Sequence, residues 1–215
     1  MGIMEKIEAL REELREHNYK YYVLARPSIS DYEFDMKLKE LQALEEKYPE
    51  YMDATSPTMR VGGAVTKSFE TVVHEHRMYS LDNSYSKEEL LDWEKRVLRI
   101  LGDSEVSFTC ELKYDGASIS ITYENGELVR GVTRGDGFQG DDVTANIRTI
   151  KSVPLRLRGD FPSKFHIRGE IVLPLDGFAR MNEARINSGE DPYMNPRNTA
   201  AGSLKLQDSS LVAER

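Results

Sequence analysis

The chain has 215 residues, of which 39% are hydrophobic and 31% are charged, and its net charge is −8. This composition supports one or two globular domains and argues against a dedicated nucleic-acid-binding module, which is usually basic. A single cysteine, Cys110, excludes an internal disulfide, and no apolar run reaches membrane-spanning length. We therefore expect a cytoplasmic protein without membrane contact.

The N-terminal part of the chain has the periodicity of two amphipathic helices. Apolar residues recur at helical spacing over residues 3–21 and again over residues 34–48. Ser30 and Glu33 form a capping-box sequence, so the second helix is predicted to begin at Asp31.

A change of pattern divides the chain. Residues 53–68 are polar, contain Pro57 and a Gly-Gly pair, and show no periodicity, so they are predicted to form a linker. The sequence thus predicts a helical domain with its linker over residues 1–66 and a second domain over residues 67–215.

The second part combines helices with strands. One helix is predicted to end at Gly102, and another is predicted over residues 175–190. Alternation and turn signals predict four strands, over residues 106–113, 117–123, 127–137 and 164–174. Asn125–Gly126, between the second and third strands, is the strongest short hairpin signal. The predicted fold class is α+β, built on antiparallel strands.

Three charged residues, Glu111, Lys113 and Asp115, alternate along the first predicted strand and are followed by Gly116. The simplest interpretation is a solvent-exposed strand face, because a Lys-x-Asp-Gly tetrapeptide is common by chance. The alternative is a nucleophilic lysine, which must lose its proton through desolvation or a cationic neighbour, or react from a small neutral fraction. Gly116 would then let the backbone approach a nucleotide closely.

Several stretches resemble one enzyme family. CELKYDG at residues 110–116 resembles the nucleophile motif of covalent nucleotidyltransferases, which include DNA ligases, RNA ligases and mRNA capping enzymes. Five more stretches are similar, in order and spacing, to bacterial NAD⁺-dependent DNA ligases: SLDN at 80–83, TRGDG at 133–137, NIRTI at 146–150, IRGEI at 167–171 and NPRNTAAGSLK at 195–205. The resemblance implies a helical domain that closes over the nicotinamide mononucleotide (NMN) half of NAD⁺. It also implies an antiparallel-sheet, ATP-grasp-like nucleotidyltransferase domain that is C-terminally incomplete here.

The resemblance also implies roles for individual residues. In the second domain, Lys113 is the nucleophile and Asp115 holds its loop. The adenosine would be bound by Glu111, which reads the adenine amine, by Ser80 and Leu81, which lie beside the adenine ring, and by Glu170, which binds the ribose hydroxyls. Arg134 contacts ribose and phosphates, and Arg197 and Lys205 engage phosphates of the adenylate or of DNA. In the helical domain, the expected cofactor-binding residues are Tyr21, Tyr22, Asp31, Tyr32, Glu33, Phe34 and Asp35.

Three positions depart from common members of the family. Tyr22 stands where many have histidine, Phe34 where many have tyrosine, and Lys205 where many have arginine. Stacking on a pyridinium can survive the first two changes, but a hydrogen bond from a tyrosine hydroxyl at position 34 cannot. From spacing alone, Asp31 would be a helix-dipole partner and Asp35 a solvated side chain.

The implied reaction is attack of Lys113 on the α-phosphorus of NAD⁺ with release of NMN. The lysyl-AMP would then serve to seal nicks with 3′-hydroxyl and 5′-phosphate ends in double-stranded DNA, in replication and repair. The expected cofactors are NAD⁺ and Mg²⁺ or Mn²⁺, with zinc only in the missing C-terminal part. We expect a monomeric, nucleoid-associated bacterial protein, and a fragment of this length is expected not to seal nicks alone.

Two other functions stay open at this point. One is a nucleotidyltransferase that uses ATP or GTP, as in RNA ligases or capping enzymes. The other is a non-catalytic adaptor or oligomerisation module in which Lys113 is a plain surface lysine. No protein-held metal site is predicted, since His74 and His76 on one predicted strand face are more often structural.

Overall fold

A computed structural model describes residues 2–22, 24, 26–60, 68–102 and 105–215, except for the side chains of Tyr22 and Asp31. The helices are α1 (Ile3–Tyr22), α2 (Asp31–Lys47), α3 (Lys87–Leu101), α4 (Thr144–Thr149), α5 (Leu175–Asn187), α6 (Pro196–Leu204) and α7 (Ser209–Ala213). The strands are β1 (Thr71–Val73), β2 (Ala117–Glu124), β3 (Glu127–Thr133), β4 (Gln139–Asp141) and β5 (Lys164–Ile171). Helices with antiparallel sheets confirm the α+β class.

Helices α1 and α2 pack together through the apolar stripes that the sequence predicts. Ile7, Leu10, Leu14 and Leu41 are buried and form one cluster. The capping box is present, because the Ser30 hydroxyl accepts from the backbone of Glu33 while the Glu33 carboxylate accepts from the backbone of Ser30. The predicted start of α2 is therefore confirmed.

The first half of the predicted linker is not a linker. Thr55, Ser56 and Pro57 are buried, and Pro57–Arg60 is a 3₁₀ helix. The Arg60 guanidinium donates to the carbonyl oxygens of Ile150 and Val153, both at 2.7 Å, and so joins the helical part to the rest of the chain. Polar residues can pack here because they are hydrogen-bonded. The remainder of the predicted linker, residues 61–67, lies outside the described residues.

A three-stranded antiparallel sheet in the order β3-β2-β5 forms the centre of the second part. The predicted turn between β2 and β3 is confirmed, with positive φ angles at Asn125 (50°) and Gly126 (82°). One sheet face is buried, and its core cluster consists of Ile119, Ile121, Tyr123, Leu128, Val143, Ile147 and Leu204. The opposite face of β2 carries hydroxyl side chains.

The strand predicted over residues 106–113 is wrong. Residues 105–115, all of which the structure describes, form no regular element, and Phe108 and Leu112 are exposed. Alternation shows only that a segment could lie on a half-buried sheet; a strand also needs a neighbour, and no described strand pairs with this one. The face that Glu111 and Lys113 were expected to share is therefore not formed.

The sequence did not predict several short elements. Strands β1 and β4 are three residues each and pair antiparallel, and the short helices α4, α6 and α7 were not predicted. A signal existed for α6, because the Asn195 side chain caps it by accepting from the backbone of Asn198, and Pro196 follows at the first helical position.

Tyr123 makes the stability of the folded chain depend on pH. Its side chain is 3% exposed, its hydroxyl donates to the Pro154 carbonyl oxygen at 2.7 Å, and burial raises its pKa to about 12. The unfolded chain ionises this phenol at about 10, so its contribution to stability is complete below pH 10 and is lost between pH 10 and 12.

We therefore expect the free energy of unfolding to fall as the pH rises above 10. The slope should be shallower in Tyr123→Phe, and the two slopes should differ by up to about 1.4 kcal/mol per pH unit. Urea denaturation of both proteins at pH 9, 10 and 11 measures the difference, because all other titrating groups are shared. Parallel curves would contradict the assignment.

Candidate nucleotide-binding site

Gly116 fixes where the predicted nucleophile motif meets the sheet. Its backbone is buried beside the end of β5, and a Cβ atom at this position would lie 2.3 Å from the Ile171 carbonyl oxygen. A side chain there would push the start of β2 away from β5. The register places Ala117 opposite Ile171 and Ser118 opposite Glu170, so Lys113 precedes β2 at the edge that carries Glu170.

Asp115 and Arg197 meet at this edge. The Arg197 Nε atom lies 3.4 Å from Asp115 Oδ1 and donates to the Gly116 carbonyl oxygen at 3.3 Å. Helix α6 carries Arg197, and its buried Leu204 anchors it in the sheet's core cluster. Both charged side chains are more than half exposed, so the ion pair stabilises weakly and leaves the guanidinium available to an anion.

Arg134 and Glu170 are positioned by neighbouring strands. The Arg134 backbone N–H donates to the Ser118 carbonyl oxygen at 3.2 Å, and its own carbonyl oxygen lies 3.1 Å from His74 Nε2. The Ser118 hydroxyl donates to Glu170 Oε2 at 2.7 Å. Three of the predicted residues, Asp115, Glu170 and Arg197, thus lie around the first residues of β2, and Arg134 joins them from the end of β3.

The loop after Arg134 holds the segment that carries Ser80 and Leu81. The Met78 backbone N–H donates to the Gly137 carbonyl oxygen at 2.9 Å, and Met78 is buried. The two predicted adenine-contacting residues follow it in a segment without regular structure, and both are exposed.

Lys113 and Glu111 lie outside the sheet. Both side chains are exposed in the irregular segment 105–115. Lys113 lines neither the cavity of about 600 Å³ along β5 nor the smaller cleft beside α1. The sequence predicted that Lys113 would lie at the end of a strand that holds its amine in place. This prediction is wrong, because residues 105–115 form no strand. The Lys205 Nζ atom lies 2.7 Å from Asp141 Oδ2.

The helical part contains a small cleft of about 40 Å³ that Tyr21 and Phe34 both line. His17, Asn18 and residues 27–30 complete its wall. The cleft brings two predicted cofactor-binding aromatic residues together and adds His17, which the sequence analysis did not single out. The sequence signal for His17 was its spacing, because it lies four residues, or one helical turn, before Tyr21 on α1.

The other predicted residues of this part have different settings. Tyr32 is 74% exposed, and Asp35 is also exposed. The Glu33 carboxylate is held by the capping box, and its pKa is lowered because the backbone N–H and the hydroxyl of Ser30 donate to it. The side chains predicted at positions 22 and 31 lie outside the described residues.

Comparison with known proteins decides the family. Residues 66–215 match the family described as NAD-dependent DNA ligase adenylation domain, and residues 1–62 match the DNA ligase-like, N-terminal NAD+-binding domain. The chain belongs to the NAD-dependent DNA ligase family. The ordered motifs of the sequence predicted this membership, which is therefore confirmed.

Relatives of the family align along the whole chain. It is 70% identical to the DNA ligase of Christiangramia forsetii, 68% identical to that of Flavobacterium psychrophilum and 53% identical to that of Bacteroides fragilis, in each case over 100% of this chain. The chain spans about a third of these ligases, 32% of each. Among the described helices, none is both long and apolar enough to cross a membrane.

Proposed function

We propose that this chain performs the nucleotide-loading step of an NAD⁺-dependent DNA ligase. Lys113 attacks the α-phosphorus of NAD⁺, a P–N bond forms as the P–O bond to NMN breaks, and the amine loses its proton. The product is lysyl-AMP, whose adenylate is then passed to the 5′-phosphate of a nick. The observation that carries this proposal is the meeting of Asp115, Glu170 and Arg197 where the Lys-x-Asp-Gly motif enters the sheet.

Each residue at this edge has chemistry suited to the task. A carboxylate such as Glu170 accepts hydrogen bonds from ribose hydroxyls, and the planar forks of Arg134 and Arg197 suit phosphate oxygens. Removal of the NMN leaving group places negative charge on phosphate oxygens, which fixed cationic donors stabilise. Asp115 would exchange its contact with Arg197 for a contact within its own loop, which carries Lys113.

We assign residues 1–66 to the NMN half of NAD⁺ and residues 67–215 to its AMP half. The Tyr21–Phe34 cleft supports the first assignment, since aromatic faces attract a pyridinium cation. The absence of a hydroxyl at Phe34 leaves stacking and shape as that residue's contribution.

Mg²⁺ fits this site as an ion that accompanies phosphates. Among the described residues, no group of three potential ligands forms around Lys113. Mg²⁺ commonly keeps several waters and binds through one or two carboxylates together with substrate phosphates. Asp115 and Glu170 are the carboxylates available at this edge, and the ion would neutralise phosphoryl charge. Nicked DNA as the final substrate, a monomeric state and nucleoid association are further parts of the proposal.

A chimeric ligase provides the test. This sequence replaces the matching third of the Christiangramia forsetii ligase, and the purified protein is stripped of AMP and incubated with Mg²⁺ and either NAD⁺ or ATP. We expect the intact mass to increase by one AMP with NAD⁺ only. An adduct with ATP only would support the ATP-dependent alternative, and no adduct with either nucleotide would contradict the proposed loading step.

A further inference from the structure

A second group of chemically capable side chains lies away from Lys113, between the segment after β1 and strand β5. His166 Nε2 lies 3.0 Å from Glu75 Oε2, and the rings of His76 and His166 meet edge-on with centroids 5.5 Å apart. Each of these three residues offers a ligand atom within 4.8 Å of the other two, and no other such group of three occurs among the described residues.

The sequence placed His74 and His76 together, but the structure separates their roles. His74 Nε2 is engaged by the Arg134 carbonyl oxygen at 3.1 Å, so His74 supports the fold. His76 instead faces His166 across the sheet edge. The Arg168 guanidinium donates to the carbonyl oxygen of His76 at 3.0 Å and so holds its backbone in place.

His166 is oriented by a partner on the neighbouring strand. Thr122 lies directly opposite it in the β2–β5 register, and Thr122 Oγ1 is 2.8 Å from His166 Nδ1. In the metal-free chain Nε2–H can donate to Glu75; for zinc to bind, Nδ1–H would donate to the Thr122 hydroxyl oxygen and Nε2 would offer its lone pair to the ion. Metal-binding histidines are commonly fixed in this way, with the second ring nitrogen donating to an oxygen.

The three residues lie beside a cavity, and the Lys164 ammonium group competes for the Glu75 carboxylate. The three residues line a cavity of about 600 Å³ along β5, which admits a hydrated ion. Lys164 Nζ lies 3.0 Å from Glu75 Oε2, so an arriving cation must displace this ammonium group. Lys164 is about half exposed and can move into solvent.

We propose that Glu75, His76 and His166 bind one Zn²⁺ ion. Two imidazole nitrogens and one carboxylate oxygen suit zinc, with water at a fourth position, whereas Mg²⁺ prefers oxygen ligands alone. Zn–ligand bonds of about 2.0–2.1 Å in a tetrahedron set neighbouring ligand atoms about 3.3 Å apart, so the three ligand atoms, which lie within 4.8 Å of one another, would draw together around the ion. The ion would tie the segment leading to Ser80 onto β5.

Isothermal titration of the metal-free chain with ZnCl₂ tests the site. We expect one Zn²⁺ per chain in the wild type and a rise of tenfold or more in Kd for each of Glu75→Gln, His76→Ala and His166→Ala. His17→Ala, a histidine change on α1, is the matched control and should leave Kd unchanged. Circular dichroism without metal checks folding, and the exposed pair Glu75→Gln and His76→Ala decides the outcome if His166→Ala unfolds.

Two further variants separate this site from chance binding to surface histidines. Thr122→Val should raise Kd by about 10–100-fold, because it removes the group that orients His166. Lys164→Ala should lower Kd, since it frees the Glu75 carboxylate from its competitor. Absence of zinc binding, equal Kd values across the ligand variants, or loss of binding in His17→Ala would overturn the proposal. None of these measurements depends on adenylation.

Discussion

Replacement of Lys113 by alanine in the chimeric ligase should abolish the AMP adduct and reduce nick sealing by several orders of magnitude. The reason is chemical, because Lys113 is the proposed nucleophile and an alanine side chain has no amine to form the P–N bond. Lys113→Arg should fail equally, since a guanidinium keeps its proton in proteins. Intact-mass measurement reports the loading step, and sealing of a labelled nicked duplex reports the whole reaction.

Lys95→Ala is the matched control for this prediction. Lys95 is an exposed lysine on α3 that pairs with Asp92. Its removal should leave both the adduct and the sealing rate unchanged. An adduct that persists in Lys113→Ala would show that a different residue carries the AMP, and the assigned mechanism would then fail.

Replacement of Glu45 by alanine should destabilise the helical part by about 3 kcal/mol. Glu45 and Arg11 are each 2% exposed, and Arg11 Nη2 lies 2.6 Å from Glu45 Oε1 while its Nε donates to the same oxygen at 2.8 Å. The Thr58 hydroxyl donates to the second carboxylate oxygen. Without Glu45, the Arg11 charge stays buried and keeps the Glu8 carboxylate and the Tyr51 carbonyl oxygen as hydrogen-bond partners.

The double variant Arg11→Met/Glu45→Leu separates the cost of an orphaned charge from the value of the pair. Apolar replacements of similar volume often match a buried ion pair in stability, so the double variant should be more stable than Glu45→Ala alone. Urea denaturation followed by circular dichroism measures all three proteins. A double variant at least as unstable as the single variant would show that the pair itself stabilises the fold.

Local signals predicted the elements that local chemistry determines. The capping box of Ser30 and Glu33 set the start of α2, and Asn125–Gly126 set the hairpin, because each depends on a few adjacent residues. Residues 106–113 show the limit of such signals, since their alternation needs a neighbouring strand that local sequence cannot supply. Burial of Thr55 and Ser56 was missed for a related reason, because polar residues pack where tertiary hydrogen bonds satisfy them.

The candidate site required information of two kinds. Family resemblance selected Asp115, Glu170 and Arg197, but their meeting at one edge depends on the β2–β5 register and on the placement of α6. Neither follows from spacing, because a shift of one residue between strands would turn Glu170 to the other face. The same register places Thr122 opposite His166, a juxtaposition that no motif in the sequence indicates.

The most direct test of the central claim is peptide mapping of the AMP adduct. The chimeric ligase is loaded with NAD⁺, digested under alkaline conditions that preserve a phosphoramidate, and sequenced by tandem mass spectrometry. The account predicts a single modified peptide with AMP on Lys113 and one NMN released per adduct. AMP on any other residue, or NMN release without a modified Lys113, would contradict it.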